Sequence, residues 1–215
     1  MAGELDTLRS ILDDWSHRHG CAGAICQIPS AEEAFSLSGL SDRERDLLAA
    51  HRHPRRRLDW LGGRYAAKAA AKRWATSRHQ APSEAEILKE TSGKPILANR
   101  DDLHLTIAHS GDYAVAVVGN RPLGIDLERL EERPDSLERA FFSAEEQEWV
   151  GQDPSMRSRR RDQVWTRKEA VSKLLGKGGQ LLFSGLAVLD EESPWHLETA
   201  ATEGYTISLA LEKGM

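Results

Sequence analysis

Residues 159–175 read "RRRDQVWTRKEAVSKLL", and the same plan appears earlier in the chain at residues 55–71 as "RRRLDWLGGRYAAKAAA". Each stretch opens with a run of three arginines and continues with a tryptophan and a basic-then-alanine helical pattern. The second is closed by Gly176, a residue suited to the left-handed turn that ends helices. Each is preceded by a helix with its own start signal. Ser41 is followed three residues later by Glu44, and Ser143 by Glu146, both capping-box spacings. The offset is 102 residues at Ser41/Ser143 and 104 at Arg57/Arg161. This self-similarity predicts an α+β fold, a pseudo-dimer of two similar α+β subdomains, each an antiparallel sheet packed on a long helix. The expected division is 1–120 and 121–215, with the break at "GNRPLG". At the 104 offset Tyr65 stands opposite Glu169, so only the second half carries the acid.

The strands are read from alternation and turn residues. "GAICQI", "EAEILKE", "KPILAN", "LHLTIAHS", "DYAVAVVGN", "LGIDLERL", "LLFSGLAVL", "WHLETA" and "YTISLALE" are the candidates. Apolar residues at 5, 8, 11, 12 and 15 predict an opening helix. The formal net charge of −5 argues against a general nucleic-acid binder. Two basic runs, 52–57 and 157–161, stand out in this acidic chain and suit a small anion. Cys21 and Cys26 are the only cysteines, too few for a disulfide framework, and are expected as free thiols in a reducing cytoplasm. The polar, acidic start does not read as a signal sequence. No apolar run approaches the length of a membrane span.

Four constellations carry chemistry. In "GIDLERL", Asp126 and Glu128 leave one face of a strand, where hard carboxylate oxygens suit magnesium and a polar edge is the plain alternative. Trp165, Glu169 and Lys173 share one helix face, which by itself is also an ordinary surface pair. His109 sits where a strand meets a turn in "TIAHSGDY". Gly93 and Lys94 form a turn in "TSGKP" that suits a phosphate.

In order, Gly93-Lys94-Pro95, Ala108-His109-Ser110, Gly124-Ile125-Asp126-Leu127-Glu128 and the helix Trp165 to Lys173 resemble the 4′-phosphopantetheinyl transferase family. The likeness is to its large bacterial type with two fused halves, and it runs over roughly residues 40 to 183. Ala108 departs from the family's usual serine, and the segment after Gly178 departs as well. The resemblance implies an active site in a cleft between the halves of a cytoplasmic monomer. It implies transfer of the phosphopantetheine arm of coenzyme A to a serine of an apo acyl or peptidyl carrier protein, as in secondary metabolism, with release of adenosine 3′,5′-bisphosphate.

The same resemblance implies the roles. Asp126, Glu128 and Glu169 are expected to ligate Mg2+, with Glu169 also the base for the carrier serine. Lys173 is expected at the pyrophosphate and leaving group. Arg56, Arg64, Lys94 and His109 are expected on the phosphates and nucleotide of coenzyme A. Arg57 is not separable from Arg56 by sequence, Lys168 assists or is simply exposed, and the 157–161 run docks an acidic carrier helix or is solvated. Two other readings use the same residues: a magnesium-dependent hydrolase of nucleotide pyrophosphates, and an inactive carrier-binding module.

Overall fold

The computed structural model describes residues 3–81, 84–177, 183–190 and 192–213. The first part of the chain forms α1 (Glu4–His19), β1 (Ala22–Gln27), α2 (Asp42–Ala49), α3 (Pro54–Ser77), β2 (Ile87–Lys89), β3 (Pro95–Leu97), β4 (His104–Ser110) and β5 (Tyr113–Gly119). The rest forms β6 (Leu123–Arg129), α4 (Asp135–Phe141), α5 (Ala144–Gly151), α6 (Arg157–Leu174), β7 (Trp195–Ala201) and β8 (Tyr205–Glu212). Among the described residues, no helix is long and apolar enough to cross a membrane.

Both capping boxes form. Ser41 Oγ accepts from the Glu44 amide at 3.2 Å while the Glu44 carboxylate accepts from the Ser41 amide at 2.9 Å. Ser143 and Glu146 repeat this at 3.2 and 2.8 Å. These exchanges satisfy amides that an α-helix start leaves without partners. Each capping glutamate is buried and also receives a lysine from the following long helix, Lys68 on Glu44 and Lys168 on Glu146, both at 2.8 Å.

Three strands in the order β1-β5-β4 make one antiparallel sheet, and β6-β8-β7 make another. β2 and β3 pair as a separate ribbon. Helix α3 lays Leu61, Ala66, Ala70 and Trp74 against Ala24, Ala114, Ala116 and Val118 of the first sheet. The opposite face of that sheet, through Val115 and Val117, meets Ile125, Leu127, Ile207 and Leu209 of the second. Leu8, Leu12 and Trp15 of α1 complete this middle layer. Helix α6 covers the far face of the second sheet, with Val164, Ala170, Val171 and Leu174 buried. The sheets meet along β4 and β6, where Ile125 N donates to Thr106 Oγ1 at 3.1 Å and Arg129 N to Ser110 Oγ at 3.0 Å.

Close approach of helix to strand depends on Gly124. A Cβ there would lie 1.9 Å from the Ala170 carbonyl oxygen and 2.6 Å from the Leu174 nitrogen, both backbone atoms of α6. Gly62 does the same more mildly in α3, where a Cβ would meet Ile28 Cγ1 at 2.7 Å.

Two sequence expectations change. "LLFSGLAVL" was expected as a strand; Leu181 and Leu182 lie outside the described residues, and Phe183–Gly185 is a single 3-10 turn. The reason is the Lys168 ammonium, which takes the carbonyls of Phe183 at 2.5 Å and Leu186 at 2.7 Å that a strand would have used. Helix α4 was not anticipated, and it is held by arginines from α6 that are described below.

Gly124→Ala should destabilise the protein by more than the ~1–3 kcal/mol usual for overpacking, because the clash is with backbone and no rotamer relieves it. Chemical denaturation checks this; unchanged stability would contradict the contact.

Candidate active site

Strand β6 sorts its residues by face. Ile125 and Leu127 enter the middle layer, so Asp126 and Glu128 point the other way, toward α6. Asp126 is buried, with one oxygen 2.7 Å from Lys173 Nζ and the other, Oδ2, with no hydrogen-bond partner. Burial pushes its pKa up to about 7; Lys173 opposes this, and the Glu128 and Glu169 carboxylates add to it. Glu169, one helical turn before Lys173, is half-buried. Burial raises its pKa, Lys173 opposes, and Glu128 adds to the rise. Asp126, Glu128 and Glu169 do not bring ligand atoms all within 4.8 Å of one another in this state.

Glu128 is the fixed member of the three. Its Oε1 accepts from Trp165 Nε1 at 2.9 Å, and its Oε2 from Ser110 Oγ at 3.1 Å and Arg133 at 2.8 Å. Arg133 also holds buried Asp162 at 3.0 Å. Trp165 thus orients an acid as well as packing edge-on against Phe141 and Phe183.

The cations lie across the β4–β6 seam. Arg56, Arg64 and His109 line a cavity of about 360 Å³ together with His51, Trp60 and Lys89. Lys94 and Lys173 line a second cavity of about 260 Å³, and the two share Gly93, Pro95 and Ile107 as walls. Arg64 is only 3% exposed, and its guanidinium stacks 4.3 Å from the Trp60 ring. Its Nε and one terminal nitrogen have no partner. Burial lowers its pKa to about 10, with Glu44 opposing. Burial and then Arg64 lower that of Lys89. An anion between them would relieve both. Lys89 and His51 were missed in the sequence because nothing local marks them; the ribbon and the loop before α3 bring them in.

The arginine runs sort into separate jobs. Arg57 is tied to Glu32 at 2.6 Å, and Arg55 to Asp59 at 2.9 Å, while Arg56 faces the cavity. The 157–161 run, expected to dock a carrier helix or to be solvated, has partners for all four of its arginines within the chain. Arg161 reaches Glu138 at 2.5 Å and Asp135 at 2.9 Å, and Arg157 reaches Glu138 at 2.9 Å. Arg159 donates to the Thr202 carbonyl and Arg160 to that of Trp149. Lys168, expected to assist or to be exposed, is fully buried on Glu146. Tyr65, opposite Glu169 in the repeat, bonds the Ser36 carbonyl and packs against Phe35.

The family model described as the 4′-phosphopantetheinyl transferase superfamily matches residues 122–210. The likeness to this superfamily thus rests on the second half of the chain and on relatives that carry the same transferase name. Asp126, Glu128, Glu169 and Lys173 lie within the matched part, and Arg56, Arg64, Lys94 and His109 precede it. The 4′-phosphopantetheinyl transferase psf-1 of Bacillus pumilus is 31% identical over 144 residues, which is 60% of this chain and 62% of the relative. The transferase Sfp of Bacillus subtilis (strain 168) is 27% identical over 143 residues, 59% and 63% of the two chains. The holo-[acyl-carrier-protein] synthase of Geobacillus kaustophilus is 46% identical over 77 residues, 33% of this chain and 60% of that one. The chain thus spans a little under two thirds of the length of these superfamily relatives.

Burying a carboxylate whose pKa is raised to about 7 opposes folding at high pH. The proton favours the folded state, so this opposition is absent below about pH 4, grows as pH rises, and is complete above the folded value of about 7. Metal-free Asp126→Asn should therefore have a higher Tm than the parent at pH 8, with the gap closing toward pH 5. A gap independent of pH would contradict the assignment. Arg64→Ala should weaken binding of inorganic pyrophosphate, read by calorimetry, because two guanidinium nitrogens without partners line the cavity, and unchanged affinity would contradict this.

Proposed function

We propose that this chain transfers the 4′-phosphopantetheine arm of coenzyme A to a serine of an apo acyl or peptidyl carrier protein, releasing adenosine 3′,5′-bisphosphate. The observation that carries the reading is a pair of adjoining cavities that share Gly93, Pro95 and Ile107, one lined by Arg56, Arg64, Lys89 and His109 and the other by Lys94 and by Lys173, which is paired with Asp126. Coenzyme A has matching chemistry, with a 3′-phosphate on the nucleotide and a pyrophosphate toward the arm. The names of the relatives, transferases and a holo-carrier synthase, support the same reaction.

In this reading residues 1–120 and 121–215 are the halves of a pseudo-dimer and the two cavities form the cleft between them. Arg56, Arg64 and His109 hold the 3′-phosphate, and Lys89 and Lys94 contact the neighbouring phosphate and nucleotide groups. Arg suits this because its planar fork meets two phosphate oxygens at once. The carrier serine Oγ attacks the phosphorus next to the arm, and its proton passes to Glu169, whose raised pKa suits a base near neutral pH. The bond from phosphorus to the departing nucleotide oxygen breaks, and the Lys173 ammonium stabilises the charge that collects there.

The donor set fits Mg2+: hard carboxylate oxygens, one of them, Asp126 Oδ2, buried without a partner. Asp126 and Glu169 would hold the ion with Glu128, whose oxygens retain acceptor capacity beside Trp165, Ser110 and Arg133. When bound, it supplies charge neutralisation at the pyrophosphate. The single acid-bearing half and the structural use of Tyr65 support one site per chain and a monomer. The likeness to psf-1 and Sfp supports the surfactin-synthetase-activating group, and secondary metabolism and a cytoplasmic setting belong to the same proposed reading.

Incubation with coenzyme A, Mg2+ and a panel of apo-carriers, read by intact mass, should add one phosphopantetheine arm to a carrier. Glu169→Gln and Asp126→Ala should each lower the rate by at least about 10²-fold, with far-UV circular dichroism unchanged. Phosphate release without carrier modification would point to hydrolysis, and near-normal transfer by both variants would overturn the site.

A further inference from the structure

A second group of potential ligands lies away from the cleft. His19, His196 and Glu198 have ligand atoms all within 4.8 Å of one another. His19 is the last residue of α1, after which Gly20 turns the chain at φ 62°. His196 and Glu198 alternate on one face of β7, an edge strand, and the acids Asp126 and Glu128 belong to the opposite, α6-facing side of the same sheet. His19 Nε2 lies 3.0 Å from Glu198 Oε1 and His196 Nε2 lies 3.1 Å from the same oxygen. The two imidazole rings are 5.0 Å apart and tilted. Thus three donors, drawn from a helix end and a paired strand, converge on one point across 180 residues of sequence.

We infer that His19, His196 and Glu198 form a binding site for a zinc-class divalent cation, which fastens the end of α1 to the β7 edge. Two imidazole nitrogens and one carboxylate oxygen are a borderline-soft set suited to Zn2+ rather than to magnesium, with a fourth position for solvent. His19 is only 12% exposed at its side chain while His196 is 48% exposed, so one ligand anchors the site and the other leaves it open to entry. Arg18 is the competing cation. It reaches both Glu198 oxygens, and it has an alternative partner in Asp14 at 2.7 Å. It therefore has a place to remain, on Asp14 and on Oε2 at 3.2 Å, when Oε1 turns to a metal. The site is distinct in chemistry from the all-oxygen set at the cleft, and the two should not compete for one ion.

The test is calorimetric titration of the full chain, free of tags and treated with chelator, with ZnCl2 in excess MgCl2. One equivalent should bind with micromolar affinity, and Tm should rise with zinc. His196→Gln, at an exposed position, and His19→Gln should each weaken binding by at least about tenfold. Co2+ should give visible absorption bands in the parent that are lost in His196→Gln. No binding below millimolar zinc would leave the cluster as a hydrogen-bonded clamp and overturn the proposal. Equal affinity in the parent and both variants would place the metal elsewhere and overturn it as well.

Discussion

The contact between Gly124 and the backbone of α6 is the constraint on which the site depends. A single hydrogen in place of a side chain lets α6 lie directly on β6. Asp126 is two residues further along the same face of β6, so the same contact brings it against Lys173. Glu169 follows from the helical repeat, one turn before Lys173. Middle-layer packing of Ile125 and Leu127 then fixes which face the acids take, since a slip of one residue would exchange the apolar and acidic sets.

The two units of capped helix and long helix share a framework and differ in what they leave free. In each, a buried capping glutamate is neutralised by a lysine of the next long helix. In the second half the lysine is Lys168, whose counterpart at the 104 offset is Arg64. In the first half Lys68, one turn later, serves the glutamate instead. Arg64 is thereby released from the framework and lies against Trp60 with unpartnered nitrogens facing a cavity. Tyr65 and Glu169 diverge in the same way, one spent on a local carbonyl and the other left beside Asp126. A buried guanidinium with two unpartnered nitrogens and a buried acid with a raised pKa are both unfavourable. In the proposed reading, a phosphate-bearing ligand with a metal resolves both.

Much of this was legible in the sequence because it is local. Capping boxes, the alternation of "GIDLERL" and the four-residue spacing of Trp165, Glu169 and Lys173 all report on neighbours within a turn or a strand. What was not legible depends on contacts between distant elements. The burial of Lys168 follows from the turn at Phe183 that it binds. Arg157 and Arg161 are taken up by an unforeseen helix, α4. Lys89 and His51 reach the cavity only through the ribbon and the loop ahead of α3, and the His19–His196–Glu198 group exists only once α1 has crossed β7. Charge runs are especially poor guides, because a sequence shows the cations and hides the acids folded against them.

The central claim is that one ligand spans cations from the first half and acids from the second. Hydrogen–deuterium exchange with coenzyme A and Mg2+ tests it most directly. Slowed exchange in α3 and the β2–β3 turn together with β6 and the last turns of α6 is the predicted result. Protection confined to one half would contradict it.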